Sequence, residues 1–211
     1  ITITAPSAGA YITNTTPTIE FQVKDTDSGV NAGTIAVTVD GTAVSTVTKT
    51  AIDGGYKCTC TSPTLKDGSH TISVKASDND GNAAAAKTAT FTVDTVPPTL
   101  QITAPSNDLI TNKKTVTVSG KTDDVSSKPV TVTVNGATVT VGTDGTFTKD
   151  VTLAEGANTI TIVAKDKAGK TTTVTRKVTV DTSAPVIKSI TLTPNPVDCG
   201  KTFIIAVEIT D

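Results

Sequence analysis

Asp67–Thr95 reads DGSHTISVKASDNDGNAAAAKTATFTVDT and Glu155–Thr182 reads EGANTITIVAKDKAGKTTTVTRKVTVDT. Laid over one another, both begin with an acid followed by Gly and continue with apolar residues at every second position. Both then turn through an Asp-bearing loop closed by Gly and end a last strand on Val-Asp-Thr. A period of two is the mark of a strand with one face in a core and one in water. The match extends towards the N-terminus of each copy. ITITAPSAGAYITNTTPTIEFQVKDTDSG from Ile1 recurs as LQITAPSNDLITNKKTVTVSGKTDDVSS from Leu100, and TVDGTAV from Thr38 recurs as TVNGATV from Thr133. The offset is about a hundred residues, the size of one β-sandwich domain. The chain is therefore a tandem repeat.

Composition agrees with an all-β fold. Of 211 residues, 47 are Thr and 25 are Val, so a third of the chain is β-branched and suited to a pleated, half-buried surface. Ile19, Phe21 and Val23 alternate with Glu20, Gln22 and Lys24, and Ile35, Val37 and Val39 repeat the pattern. His70, Ile72, Val74 and Ala76 follow in the first copy. In the second copy the inward positions are Val116 and Val118, then Val130, Val132 and Val134, then Phe147, Val151 and Leu153, then Ile160, Ile162 and Ala164. Asp40-Gly41 and Asn135-Gly136 sit between paired runs, as two-residue hairpins with positive φ require. The pattern predicts tandem immunoglobulin-like sandwiches of seven strands each, at 1–95 and 96–182, with residues 183–211 as the first two strands of an incomplete third domain. The joints VDTVPPTL and VDTSAPV place Pro where a ladder cannot continue, which predicts an extended, semi-rigid rod. The chain starts at Ile1 and holds no Met, which suggests a piece of a longer protein whose neighbouring domains are its first partners.

The second copy, through PPTLQITAPSNDLITNKKTVTVSG, the NG hairpin, the DGTF turn, EGANTITIVAKDKAG and the closing VTVD, resembles bacterial immunoglobulin-like domains of the glucodextranase domain B type over residues 97–182. The first copy is similar to related bacterial Ig-like modules through DSGV, DGSHTISVKASDNDGN and TFTVDT. The third fragment, ITLTPNPVDCGKTFIIAVEITD, resembles openings found in surface and prophage-tail proteins of Gram-positive bacteria. These resemblances imply spacer and adhesion roles outside the cell, on a bacterial surface or a virion, and bring no catalytic residues with them. Three functions follow as expectations: a stalk that presents a binding end away from its anchor; an adhesin or carbohydrate-binding module for a surface glycan or protein; or an accessory domain of a secreted polysaccharide-degrading enzyme.

Charge and site chemistry narrow these expectations. The formal net charge is -2 and the charges are dispersed, so no basic face for nucleic acid is expected. No apolar run reaches the length of a membrane span. One His and three Glu leave few acid/base pairs, and His70 falls at an inward strand position, so a non-enzyme is expected. Cys58 and Cys60, two apart in a strand, share one face and are expected as buried free thiols, while Cys199 stands alone. Tyr11 and Tyr56 are the candidate ligand-binding aromatics, because Phe21, Phe91, Phe147 and Phe203 fit the core alternation. In the first copy the loops KDTDSGV and SDNDGNA should converge at one pole, bringing together Asp25, Asp27, Asp78, Asp80 and Asn82. Hard oxygen ligands gathered on loops are what Ca²⁺ takes, and it is the one cofactor this pattern brings to mind. The competing reading is that Asp and Asn close turns, with Gly29 and Gly81 at positive φ. In the second copy Asp123, Asp124 and Asp166 should face the linker at Asp94, with Lys165, Lys167 and Lys170 nearby, so that ion pairs or a bound cation stiffen the joint.

Overall fold

The computed structural model describes residues 1–193, 199–200, 202 and 204–211. The first copy forms β1 (Thr2–Ala5), β2 (Tyr11–Ile12), β3 (Thr18–Lys24), β4 (Val30–Val39), β5 (Thr42–Ala43), β6 (Thr48–Ile52), β7 (Gly55–Thr61), β8 (Gly68–Asp78) and β9 (Lys87–Val93). They make two sheets, in the order β1-β3-β7-β6 and β2-β9-β8-β4-β5. The second copy forms β10 (Thr99–Ala104), β11 (Leu109–Thr111), β12 (Thr115–Asp123), β13 (Thr131–Val134), β14 (Ala137–Val139), β15 (Thr146–Thr152), β16 (Gly156–Lys165) and β17 (Thr171–Val180). Its sheets run β10-β12-β15 and β11-β17-β16-β13-β14. A hairpin of β18 (Val186–Thr193) and β19 (Ile204–Thr210) follows.

The tandem all-β sandwich is as read from the sequence, but seven strands per copy is not. There are nine in the first and eight in the second. The leading strand of each copy splits. β1 pairs antiparallel with β3, and after Pro6 and Gly9, at φ 78°, the chain crosses to pair β2 parallel with β9. β10 and β11 divide in the same way between β12 and β17, across Pro105 and Asp108, at φ 57°. A proline without an amide hydrogen followed by a left-handed residue ends one ladder and aims the chain at the other. Short β5 and β14 add a further strand to each second sheet, and the second copy has no counterpart of β6.

Each sandwich has its own core. In the first, Ile19 and Phe21 of β3 and Cys58 of β7 meet Val37 of β4, Ile72 and Val74 of β8 and Phe91 of β9. In the second, Val118 and Phe147 meet Val132, Ile160, Ile162 and Val178. The inward residues named from the alternation are buried, except Val151, which is half-buried at the end of its strand. Both predicted hairpins carry two positive φ values, 50° and 79° at Asp40-Gly41 and 46° and 81° at Asn135-Gly136. The β18–β19 hairpin stands apart from both cores with Ile187, Ile190, Ile205, Val207 and Ile209 exposed. Phe203 lies outside the described residues. Among the described residues no helix is long and apolar enough to cross a membrane.

Candidate metal centre

Three aspartates stand at strand ends around the joint: Asp94 after β9, Asp124 after β12 and Asp166 after β16. Each offers one carboxylate oxygen within 4.8 Å of the others, and all three side chains are buried, at 1%, 6% and 5% exposure. Their own loops explain half of this arrangement. Asp94 Oδ1 accepts the Val96 amide at 3.1 Å. Asp124 Oδ1 accepts the amides of Ser126 and Ser127 at 2.8 and 2.6 Å. Asp166 Oδ1 accepts the Lys170 amide at 2.8 Å. Closing a turn onto its own backbone is common work for Asp. The other half is not explained by turns: the buried Oδ2 atoms of Asp94 and Asp166, and the buried Ser127 hydroxyl, have no hydrogen-bond partner. These are the orphaned buried side-chain atoms among the described residues, and all belong to this joint.

The surrounding contacts hold the joint in place. Asp67, at the β7–β8 turn, receives the Thr95 amide on Oδ1 at 3.0 Å and the Thr95 hydroxyl on Oδ2 at 2.9 Å. Glu155 grips Thr182 in the same way at the next joint, at 2.8 and 2.7 Å. The Thr172 hydroxyl donates to the Pro98 carbonyl. Lys167 Nζ lies 5.0 Å above the Tyr11 ring, crossing from the second copy to the first. Asp123, expected beside Asp124, instead points outwards and pairs with Lys128 at 2.8 Å. The cause is strand parity: successive residues face opposite sides, so only one of the two can enter the joint.

At the leading pole of the first copy the two loops do meet, through Asn79, whose amide donates to the Gly29 carbonyl at 2.9 Å and whose side chain donates to the Ser28 carbonyl at 2.8 Å. The ligand set expected there does not gather: among the described residues the one group of three ligand atoms within 4.8 Å is the triad at the joint. Asp25 Oδ2 accepts the Gly29 amide at 2.7 Å. Both oxygens of Asp78 are taken by Asn82, at 2.7 and 2.8 Å, and that contact holds the Asp78 carboxyl below its ordinary pKa. Asp27, Asp80 and Asn82 are exposed. The turn-forming use of these residues, with Gly29 and Gly81 at φ 83° and 90°, is what the geometry displays.

The remaining candidates are scattered. Tyr11 is covered by Lys167 beside the joint, whereas Tyr56 packs against the first core, paired with Val23 near the opposite pole. Cys58 and Cys60 are buried free thiols whose pKa burial pushes up, and Cys199 is exposed. His70 is 9% exposed and lies between Asp40 Oδ2, at 2.6 Å, and the Lys66 carbonyl, at 2.7 Å. The sequence named Asp94, Asp124 and Asp166 as facing one another but gave no sign of Ser127. The available signal was position alone, three residues past Asp124 in a loop that must turn back.

Comparison with known proteins supports this architecture. Residues 4–95 match the bacterial Ig-like domain family and residues 98–182 match glucodextranase, domain B. The chain is 30% identical over 188 residues to bacillopeptidase F of Bacillus subtilis (strain 168), spanning 89% of this chain and 12% of that protein's length. Among solved structures, the fibronectin(III)-like modules of Clostridium thermocellum CbhA align with 20% identity and a TM-score of 0.50, covering 85% of this chain and 93% of theirs. An I-band fragment of titin aligns with 13% identity and a TM-score of 0.50, covering 87% of this chain and 65% of its own. Such likenesses show the fold, a string of sandwich modules. The two repeats belong to the bacterial immunoglobulin-like domains, joined in tandem, the second of them in the glucodextranase domain B family.

Proposed function

We propose that this chain is a non-catalytic spacer, an accessory segment that sets other parts of a secreted or surface-attached bacterial protein at a fixed distance and orientation. The observation that carries the reading is the joint itself. The Asp67–Thr95 clip pins the linker to the first sandwich, the Thr172 contact to Pro98 pins it to the second, and the Lys167–Tyr11 stack crosses from one to the other, whereas a flexible tether would need none of them. The aromatic residues that would serve an adhesin are half-buried and dispersed, with Tyr11 at the joint and Tyr56 against the core near the far pole.

A second reading is supported by the match to bacillopeptidase F, a peptidase by name, of which the matched region is a small part. On that reading the spacer serves a secreted peptidase rather than a polysaccharide-degrading enzyme. Both place the chain outside the cell. The test is a pull-down of the purified chain on intact bacterial cells and isolated cell walls, with calcium and with chelator. No saturable binding in either arm is the expected result. Saturable binding in either arm would make the segment an adhesive module and overturn the spacer reading.

A further inference from the structure

We propose that Asp94, Asp124 and Asp166 bind one Ca²⁺ between the two repeats. Buried carboxylates without cationic partners are rare because removing charge from water is costly, and the usual solutions are an ion pair or a metal. No ion pair among the described residues reaches this triad. Lys128 is engaged by Asp123, and Lys167 lies over Tyr11. Each turn has committed an Oδ1 to its own backbone, while the Oδ2 atoms of Asp94 and Asp166 remain buried and unpartnered, as does the Ser127 hydroxyl. All these donors are hard oxygens, which excludes the softer metals that seek sulfur or imidazole.

Ligand chemistry favours calcium over magnesium. Ca²⁺ takes about six to eight oxygens in flexible geometry, whereas Mg²⁺ demands a near-ideal octahedron and keeps several of its waters. Three buried carboxylates and a buried hydroxyl on separate loops are an oxygen set of the flexible kind. A cleft of about 380 Å³ lined by Asp67, Asp94, Val96, Asp123, Asp124 and Ser126 gives an ion a way in.

The same positions recur along the chain. Asp78 holds in the first repeat the place of Asp166, since each pairs its backbone amide with a carbonyl four residues on and accepts that residue's amide, and Asp25 accepts the Gly29 amide as Asp124 accepts that of Ser127. Asp181 holds the place of Asp94: its amide donates to Thr111 as that of Asp94 donates to Ile12, and its Oδ1 accepts the Ser183 amide at 3.0 Å. The middle joint is where all three members meet. The ion ties the last strand of one sandwich to two loops of the next, so its consequence, a stiffened joint, rests on the spacer reading, while the binding itself does not.

The 211-residue chain, stripped with EDTA and titrated with CaCl₂ by calorimetry, is expected to take one tightly bound ion and to melt at a higher temperature with it. Asp94→Asn, Asp124→Asn and Asp166→Asn should each weaken that binding tenfold or more, while Asp150→Asn, on an exposed strand face, leaves it unchanged. The absence of saturable heat from the unmutated chain overturns the site without any variant having to fold. Unchanged affinity in the three Asn variants, or equal affinity for MgCl₂, also overturns it. Calorimetry reads the ion and the cell pull-down reads a receptor, so failure of one proposal is distinguishable from failure of the other.

Discussion

Asp40 and Asn135 do the same work at the same turn. Each adopts positive φ, and each accepts the amide of the facing strand at 2.8 Å, from Thr71 and Thr161. Their neighbours differ. Asn158 closes its loop with neutral hydrogen bonds to Ala154 and Gly156, whereas His70 has an oxygen before each ring nitrogen, Asp40 Oδ2 and the Lys66 carbonyl. Only the doubly protonated ring donates to both. Burial works against the charged ring, but its bonds to Asp40 and Lys66 and the Asp40 charge outweigh it and hold the His70 pKa above the ordinary 6.5. For Asp40, burial is likewise outweighed by His70 and Thr71, and its pKa falls below 3.8. A raised histidine pKa contributes stability that is complete below 6.5 and is lost as pH rises through the folded value. The lowered Asp40 value contributes above 3.8 and is lost as pH falls through its own folded value. The pair should therefore stabilise most between those limits. In urea unfolding followed from pH 5.5 to 8.5, the unmutated chain should lose stability on the alkaline side, and His70→Asn, which installs the residue of the second repeat, should flatten that slope. An equal slope in both would remove the histidine from the account.

At the scale of the strands, β12 shows how closely the ladders of the second repeat approach one another. Gly120 pairs with Phe147 on one side and Ile102 on the other, and a Cβ there would lie 2.5 Å from the Gln101 carbonyl and 2.7 Å from the Phe147 ring. Backbone cannot retreat from such a contact, so Gly120→Ala should destabilise the second repeat by about 1–3 kcal/mol in chemical denaturation. An unchanged midpoint would show that the sheet yields there. Strands like this one were legible from alternation because a period of two translates directly into inside and outside, as at Ile19, Phe21 and Val23. The split of the leading strand into β1 and β2 was not, because which sheet a short run joins depends on partners about eighty residues away. The same limit governs the joint. The aspartates of the leading loops were visible as a cluster, and the turn-closing reading of Asp25 and Asp78 needs only residues four ahead of each, whereas the gathering of Asp94, Asp124 and Asp166 needs both sandwiches. Strand parity separates Asp123 from Asp124, and without the register of β12 the sequence leaves the two equivalent.

Among the described residues the two repeats form two cores with a joint between them. The core of the first repeat and that of the second have no residue in common, and what passes between them is polar: the triad and the Lys167–Tyr11 stack. Cooperativity follows buried apolar contact, and a mainly polar joint transmits little of it. Each sandwich should therefore unfold as its own unit once chelator removes any ion. Phe21 is fully buried where β3 faces β8 and β9, and Phe21→Ala should cost about 3–5 kcal/mol through lost contacts and the cavity left behind. In calorimetric melts with EDTA this substitution should lower the transition of the first repeat and leave that of the second in place. A single transition that shifts as one would mean that the joint carries enough energy to couple the cores, and the spacer would then be one mechanical body rather than two stiff links.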